Sequence, residues 1–262
     1  MVAGICAVIV VGLIGLIAGL GLSIFSVLMA VKTDEKVERL REALPGANCG
    51  ACGYSGCDGY AEALAKGEVE PGACTPGGES VNRELGEILG VEVEPGEPKA
   101  AFVLCNGTKA NVDKKMFYQG IETCRAANML YSGNSECNYG CLGFGDCEKA
   151  CPYNAVTVRN GVATIDRNAC TACGICVSTC PKGIITLLPK AEKAVVVCSN
   201  RNKGAVARNI CHTACIGCGK CIRTCEHGAV TVKENLAAIA PEACVGCGKC
   251  VEACPMDCIK MI

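Results

Sequence analysis

Cysteine is the residue of this chain whose number and spacing point to chemistry. The sequence of 262 residues contains 26 cysteines, and three blocks repeat the spacing C-x2-C-x2-C-x3-C. The blocks consist of Cys170, Cys173, Cys176 and Cys180, then Cys215, Cys218, Cys221 and Cys225, then Cys244, Cys247, Cys250 and Cys254. Thiolates at this spacing are typical of iron–sulfur ligation, in which three cysteines hold one [4Fe–4S] cluster and the fourth holds a second cluster.

Other uses of cysteine fit this pattern less well. Disulfide scaffolds are usually short secreted chains, and zinc sites place two C-x2-C pairs well apart in the sequence. Cluster-binding thiolates also favour a reducing compartment. The formal net charge of −1 and the absence of a basic run argue against nucleic acid as a partner. With no Trp and four Phe, the chain is expected to use its clusters as cores.

A fourth cysteine block, nearer the N-terminus, has a different spacing. Residues 48–57 read NCGACGYSGC, and with one later cysteine they give C-x2-C-x4-C-x16-C. The predicted ligands are Cys49, Cys52, Cys57 and Cys74. The intervening glycines let the backbone fold closely around a cluster and direct amides at its sulfurs. A zinc site is the alternative here. Helices are predicted over residues 58–66 and 80–90, with Gly90 as a C-cap.

The second half of the chain is an internal duplication. A shift of 74 residues places the cysteines between Cys151 and Cys180 on those between Cys225 and Cys254. Each copy also contains alternating apolar residues around a short polar turn, over 156–165 and 230–239. This pattern predicts one antiparallel hairpin in each copy, as in a small two-cluster ferredoxin-like domain.

The crossing rule of such domains assigns the ligands. In the second copy the predicted sets are Cys215, Cys218, Cys221 with Cys254, and Cys244, Cys247, Cys250 with Cys225. In the first copy Cys170, Cys173 and Cys176 pair with Cys151. The last site departs from the pattern, because Phe144 stands where the second copy has Cys218. We expect Cys137 to replace the missing ligand beside Cys141, Cys147 and Cys180; otherwise this site is three-iron or empty. The prediction is about five [4Fe–4S] clusters.

Six cysteines stand outside these sets: Cys6, Cys105, Cys124, Cys198, Cys211 and Cys258. Cys105 and Cys198 each end an apolar, strand-like stretch, which predicts structural thiols. Cys211 is the spare counterpart of Cys137, and the role of Cys124 stays open between an additional ligand and a redox function. No nucleotide-binding fingerprint, P-loop or Ser–His–Asp arrangement is present, so no catalytic residue is predicted.

The N-terminus carries a long apolar run. Residues 2–31 contain no charged residue, which predicts a retained transmembrane helix over 1–31, with a cleaved signal peptide as the alternative. Lys32, Lys36, Arg39 and Arg41 make the following flank positive. A positive flank places the rest of the chain on the cytoplasmic side of the cell membrane. The pattern from Thr33 onward predicts a short amphipathic stalk helix that Pro45 and Gly46 end.

The predicted fold class is therefore a set of small α+β iron–sulfur domains behind one transmembrane helix. The predicted divisions are an anchor over 1–31, the stalk and N-terminal [4Fe–4S] domain over 32–98, and two tandem two-cluster ferredoxin-like domains over 99–190 and 191–262. Electron transfer is the predicted function. From chain order, the C-terminal domains are the expected electron entry, and the Cys49–Cys74 cluster is the expected exit toward the membrane.

This order of parts, with ANCGACGYSGC and a distant fourth cysteine between a membrane helix and ferredoxin repeats, resembles the B subunit of the Rnf electron-transport complexes. The resemblance implies a ferredoxin:NAD+ oxidoreductase coupled to Na+ or H+ translocation. It also implies soluble ferredoxin as donor, and membrane and flavin-bearing subunits as partners. Two alternatives stay open: a polyferredoxin subunit of another membrane redox enzyme, such as a hydrogenase or dehydrogenase, and a metal-stabilised scaffold without redox function.

Overall fold

The computed structural model describes residues 2–28, 34–93 and 96–262. Helix α1 comprises Val2–Leu28, and its side chains are described from Val11 to Ser26, where all are exposed. When only the described residues are considered, no helix is long and apolar enough to cross a membrane. The end of the predicted anchor, residues 29–31, and the first positive charge of its flank, Lys32, lie outside the described residues.

Three helices form the N-terminal domain: α2 (Glu35–Ala43), α3 (Cys57–Lys66) and α4 (Gly78–Leu89). Asp34 begins α2 by accepting a hydrogen bond from the Lys36 amide. Left-handed glycines end the other two helices, at Gly67 and at the predicted C-cap Gly90. This conformation suits glycine because it has no Cβ.

The amphipathic helix predicted as a stalk is part of the N-terminal domain itself. Leu40 of α2 is completely buried, and it packs in one apolar cluster with Tyr60 and Leu64 of α3 and Leu85 of α4. The Tyr60 hydroxyl also accepts a hydrogen bond from the Ala73 amide, at 3.3 Å. Tyr60 therefore fixes the loop that presents Cys74 to the other cysteines of this domain.

The first duplicated copy consists of two antiparallel strand pairs and short helices. Strand β1 (Lys99–Val103) pairs with β4 (Ile185–Pro189), and β2 (Val156–Arg159) pairs with β3 (Val162–Ile165). Helices α5 (Cys124–Met129), α6 (Asp146–Lys149) and α7 (Ile175–Thr179) lie between them. The apolar side of the sheets packs directly on cysteines, since Val156, Ala163 and Ile185 share one buried cluster with Cys147 and Cys176.

The second copy repeats this plan. Strand β5 (Ala194–Val196) pairs with β8 (Ile259–Met261), and β6 (Val230–Lys233) pairs with β7 (Leu236–Ile239). Its helices are α8 (Gly204–Ile210), α9 (Lys220–Thr224) and α10 (Lys249–Glu252), with a 3-10 turn at Pro241–Ala243. Both predicted hairpins are confirmed, and each turns through two left-handed residues, Asn160 and Gly161 in the first copy, Glu234 and Asn235 in the second.

The copies differ most between the first strand and the first cysteine block. The second copy crosses this interval with α8, whereas the first has a longer segment, residues 106–136, that contains α5. The two copies meet here. Val112 forms an isolated antiparallel bridge with Cys211, and the His212 amide donates to the Asn111 carbonyl at 2.9 Å. The Ser199 hydroxyl donates to the Leu104 carbonyl, also at 2.9 Å.

Candidate iron–sulfur centres

The cysteines of the duplicated copies gather around cavities rather than bonding to one another. Every cysteine that the structure describes is a free thiol. Five cavities of similar size, about 320 to 360 Å³ when the space open to solvent is counted, are each lined by at least four cysteines. Within the described residues, no group of three or more His, Cys, Asp or Glu side chains could hold a single metal ion. A four-iron cluster is larger than one ion, so its ligands stand further apart, around a space of their own.

Three of these cavities group the cysteines as the crossing rule does. Site II is lined by Cys151, Cys170, Cys173 and Cys176. Site IV is lined by Cys215, Cys218, Cys221 and Cys254, together with Cys258, and site V by Cys225, Cys244, Cys247 and Cys250. In each case the set joins three cysteines of one block to the fourth cysteine of the other. Each copy thus encloses its sites between its two blocks.

The cavity of site III groups the cysteines differently from the set expected from the sequence. Its cavity is lined by Cys124, Cys141, Cys147 and Cys180, and Cys137 is not among its lining residues. Cys137 lines a different cavity. Cys124, from the long segment of the first copy, is the fourth cysteine that lines this cavity. Phe144 packs edge-on against Tyr118 of the same segment, with ring centroids 5.5 Å apart.

A single carboxylate holds Cys124 in place. Asp146, the first residue of α6, accepts hydrogen bonds from the amides of Cys124 at 2.9 Å and Arg125 at 3.1 Å. These amides begin α5, where unpaired N–H groups and the helix dipole favour a negative charge. Since Cys147 follows Asp146 directly, the same carboxylate ties Cys124 to a neighbouring ligand of site III.

Site I lies in the N-terminal domain and contains the four predicted cysteines, Cys49, Cys52, Cys57 and Cys74. The Cys57 amide, at the start of α3, donates to the Asn48 side chain at 2.8 Å. Gly50 and Gly53 lie in the left-handed region, at φ of 71° and 88°, which allows the tight loop between the first three cysteines. Burial raises the pKa of Cys74, and the other three thiols are near enough to raise it further.

Sites I and II are neighbours. The hydroxyl of Thr75, next to Cys74, donates to the carbonyl of Ala172, next to Cys173, at 3.3 Å. Tyr153 lies in the same contact; it lines the cavity of site II, and burial raises the pKa of its hydroxyl. The N-terminal domain therefore docks on the first copy through residues adjacent to ligands of both sites.

The donor chemistry of the sites suits iron–sulfur clusters. Burial raises the pKa of Cys147 to about 12 and that of Cys176 to about 11, so these thiols are neutral at pH 7 unless a metal displaces their protons. Backbone amides point at the sulfurs, as where Ala101 and Ala172 donate to Cys170 at 3.3 and 3.4 Å. Four soft sulfur ligands with amide donors form the usual environment of a [4Fe–4S] cluster.

Cys258 distinguishes site IV from the others. Its sulfur lies 3.5 Å from that of Cys254, and hydrogen bonding with Cys258 lowers the pKa of Cys254 to about 5 and that of Cys215 to about 6. The pKa of Cys258 itself is raised by the same contacts and by burial. Cys258 therefore acts as a protonated donor to two ligands. The sequence analysis left Cys258 outside the ligand sets and without a role.

Comparison with known proteins agrees with this distribution of sites. Residues 44–76 match the family described as "Putative Fe-S cluster", which covers site I. Residues 135–185 and 208–261 each match a family described as "4Fe-4S dicluster domain". With the number of cysteines in the chain, these matches fit the predicted content of about five [4Fe–4S] clusters.

Relatives along most of the chain carry related names. The B subunit of the Na(+)-translocating ferredoxin:NAD(+) oxidoreductase complex of Acetobacterium woodii is 42% identical over 95% of this chain and 75% of its own length. The proton-translocating counterpart of Clostridium ljungdahlii is 39% identical, over 90% of this chain and 84% of its own. The B subunit of the ion-translocating oxidoreductase complex of Methanosarcina acetivorans is 36% identical, over 76% of this chain and 75% of its own length.

These matches span the N-terminal domain and both ferredoxin-like copies, so they confirm the resemblance predicted from the motifs. Proteins with these names are subunits of complexes, which implies partner subunits for this chain too. The chain belongs to the family of B subunits of the ion-translocating ferredoxin:NAD+ oxidoreductase, or Rnf, complexes.

Proposed function

We propose that the chain is the electron-transfer subunit of a membrane-bound oxidoreductase that takes electrons from reduced ferredoxin, delivers them toward NAD+ and couples this flow to Na+ or H+ translocation. The names of its relatives support the overall reaction. When bound, the [4Fe–4S] clusters supply one-electron redox centres. The chain itself supplies ligands, spacing and docking surfaces, because no other catalytic group is predicted.

The continuity of the cysteine sets from one end of the chain to the other is the observation that carries this proposal. The Thr75–Ala172 contact connects site I to site II. Sites II and III share the core of the first copy, where Cys147 and Cys176 pack in one cluster. Sites IV and V share the second copy, which contacts the first through the Val112–Cys211 bridge and the His212–Asn111 hydrogen bond.

The exposure of two cysteines supports a direction for electron transfer along the chain. Among the described cysteines, Cys218 of site IV and Cys247 of site V are the two that are exposed, and both lie in the second copy. A soluble donor reaches an exposed ligand edge more easily than a buried one. We therefore assign the second copy as the entry side for ferredoxin and site I, nearest the N-terminal helix, as the exit.

Membrane attachment is part of the proposal. The uncharged composition of residues 2–31 and the positive residues that follow support a single anchor with the iron–sulfur domains on the cytoplasmic side. Membrane subunits and flavin-bearing subunits of the same complex are the partners expected to receive electrons from site I.

Anaerobic stopped-flow mixing of the loaded full-length chain with reduced ferredoxin tests the proposal. The visible iron–sulfur absorption is expected to bleach within the mixing experiment, and the metal-free chain serves as the control. Bleaching by dithionite but not by ferredoxin would assign the chain to another donor, as in a hydrogenase or dehydrogenase, and the co-purifying subunits would identify which. Zinc without acid-labile sulfide would contradict electron transfer itself.

A further inference from the structure

We propose that the two ferredoxin-like copies share a sixth [4Fe–4S] cluster, held between them by Cys105, Cys137, Cys198 and Cys211. The proposal adds a site to the electron-transfer function above, and it rests on that function only for the role of the cluster. The site itself stands on geometry. The sequence indicated structural roles for Cys105 and Cys198, a spare role for Cys211 and a different cluster for Cys137.

The four cysteines line one cavity at the junction of the copies. Its volume is about 360 Å³, within the range of the cavities at sites II to V. Cys137, Cys198 and Cys211 are 8%, 8% and 7% exposed, so solvent has little access to their sulfurs. Cys141 lines this cavity and that of site III; burial raises its pKa, and the cysteines that raise it further, Cys124 and Cys180, are those of site III.

The internal duplication generates this set symmetrically. Each copy contributes one cysteine two residues beyond its first strand: Cys105 follows β1, and Cys198 follows β5. Each also contributes a cysteine four residues before its first cysteine block, as Cys137 precedes Cys141 and Cys211 precedes Cys215. A cluster at this junction therefore takes two ligands from each copy. Each ligand of one copy has its equivalent in the other, Cys105 in Cys198 and Cys137 in Cys211.

The amide donors are duplicated as well. Cys105 accepts hydrogen bonds from the amides of Cys141 at 3.3 Å and Gly107 at 3.4 Å. Its counterpart Cys198 accepts from the amides of Cys215 at 3.3 Å and Asn200 at 3.4 Å. Paired amide donors to cysteine sulfur are a recurrent feature of iron–sulfur sites, where they help to set the reduction potential.

The buried side chain of Asn200 beside the cavity is difficult to explain if the cavity cysteines are ordinary core thiols. The Asn200 side chain is 1% exposed and donates from Nδ2 to the sulfur of Cys137 at 3.8 Å. Burying an amide is costly unless it finds partners, and a neutral thiol is a weak acceptor. A cluster thiolate is the stronger acceptor, so the buried Asn200 fits a metal-bound Cys137.

The position of the cavity gives the sixth cluster a clear role. Cys141 of site III donates its amide to Cys105, and Cys215 of site IV donates its amide to Cys198. One hydrogen bond therefore connects the cavity to Cys141 of site III in the first copy. Another connects it to Cys215 of site IV in the second copy. A cluster held here would supply a one-electron redox centre between sites III and IV.

Iron and acid-labile sulfide on the anaerobically loaded full-length chain test the proposal. We expect about 24 of each per chain rather than about 20, since each [4Fe–4S] cluster contributes four. The double variant Cys198→Ala/Cys211→Ala is expected to lose about four of each. Cys6→Ala, which removes a cysteine outside all six sets, is the control and should lose none.

Two outcomes overturn the site: about 20 iron in the unmodified chain, or an unchanged iron content in the double variant. If circular dichroism shows that this double variant does not fold, Cys105→Ala/Cys137→Ala removes the two ligands of the other copy instead. Mössbauer quantitation of the unmodified chain counts the clusters without any substitution. A full iron content with no reduction by ferredoxin would remove the proposed function and leave the site standing.

Discussion

Asp146 is the residue on which the irregular site III depends. Its carboxylate accepts two hydrogen bonds at the start of α5, and the next residue in the chain, Cys147, is a ligand of the same site. The regular ferredoxin spacing needs no such device, because three of its ligands follow one another in a single loop and the fourth belongs to the other cysteine block. Recruiting Cys124 from a distant segment requires a group that holds the two segments together.

Asp146→Ala is therefore expected to weaken site III selectively. Loss of hydrogen bonds to a charged acceptor costs about 1.5–3 kcal/mol each, so the start of α5 should loosen and Cys124 should leave the site. Iron content should fall by up to about four per chain, or an oxidised three-iron signal should appear by electron paramagnetic resonance.

Glu148→Ala provides the matched control, since Glu148 lies on the same short helix and is exposed. It should retain all its iron. Equal losses in the two variants would show that α6 matters as a whole, and would contradict a specific role for the Asp146 carboxylate.

We expect Cys258 to affect the reduction potential of site IV rather than its iron content. A hydrogen bond to a cluster sulfur stabilises the reduced state, which carries more negative charge, and so raises the reduction potential. Cys258→Ala is expected to lower the potential of site IV at unchanged iron content. A contribution of about 1 kcal/mol corresponds to roughly 40 mV for one electron.

A redox titration followed by electron paramagnetic resonance measures this shift. Cys258→Ser is the informative companion, because its hydroxyl keeps a donor in the same place. It should retain most of the native potential. Loss of four iron in Cys258→Ala would instead identify Cys258 as a ligand and contradict the donor role.

The secondary-structure elements that could be predicted from the sequence are those that depend on residues close together in the chain. The hairpins of both copies follow from alternating apolar residues around polar turns, and α3, α4 and the Gly90 cap follow from nearby residues. The crossing of cysteines within each copy follows from spacing alone. These features depend on contacts within a few dozen residues.

The grouping of Cys124 with site III, and of Cys137 with Cys211, depends on contacts between distant segments. The Val112–Cys211 bridge and the His212–Asn111 hydrogen bond determine how the copies meet, and neither leaves a motif in the sequence. A signal for the shared cavity was nevertheless present. Cys137 and Cys211 are equivalent under the 74-residue shift, so assigning a role to one and none to the other broke the symmetry of the duplication.

Helix α2 provides a test at this scale. Because Leu40 is fully buried against α3 and α4, Leu40→Ala should destabilise the N-terminal domain by about 2–5 kcal/mol. Its exposed neighbour Arg39 should tolerate alanine with little effect. Urea unfolding of the loaded chain, monitored through the loss of visible absorption, compares the two. Equal stability of both variants would mean that α2 is a separable stalk.

At the scale of the whole molecule, the N-terminal domain and the two duplicated copies arrange six cysteine sets in one series. The N-terminal domain contacts the first copy beside sites I and II, and the second copy contacts the first around the shared cavity. Each contact between units lies next to cysteine ligands on both sides. The surfaces through which the N-terminal domain and the two copies pack are thus the surfaces between neighbouring cysteine sets. A rearrangement of these domains would therefore also interrupt electron transfer along the series.

This arrangement predicts where electron flow stops when the shared site is removed. Exposed Cys218 and Cys247 make the second copy the entry side, so ferredoxin should still reduce sites IV and V quickly in Cys198→Ala/Cys211→Ala. Sites I to III should then be reduced much more slowly, because their connection to site IV is lost. Stopped-flow absorption should show a fast phase of about two-fifths of the amplitude left in the variant, from two of its five remaining four-iron clusters.

Cys49→Ala/Cys52→Ala is the matched control, because it removes a site at the far end of the series. Its remaining sites should all be reduced in the fast phase. If the fast phase of Cys198→Ala/Cys211→Ala instead carries about three-fifths of the amplitude, from sites I to III, electrons enter through the N-terminal half. The order of the sites would then stand, and the direction assigned to it would reverse.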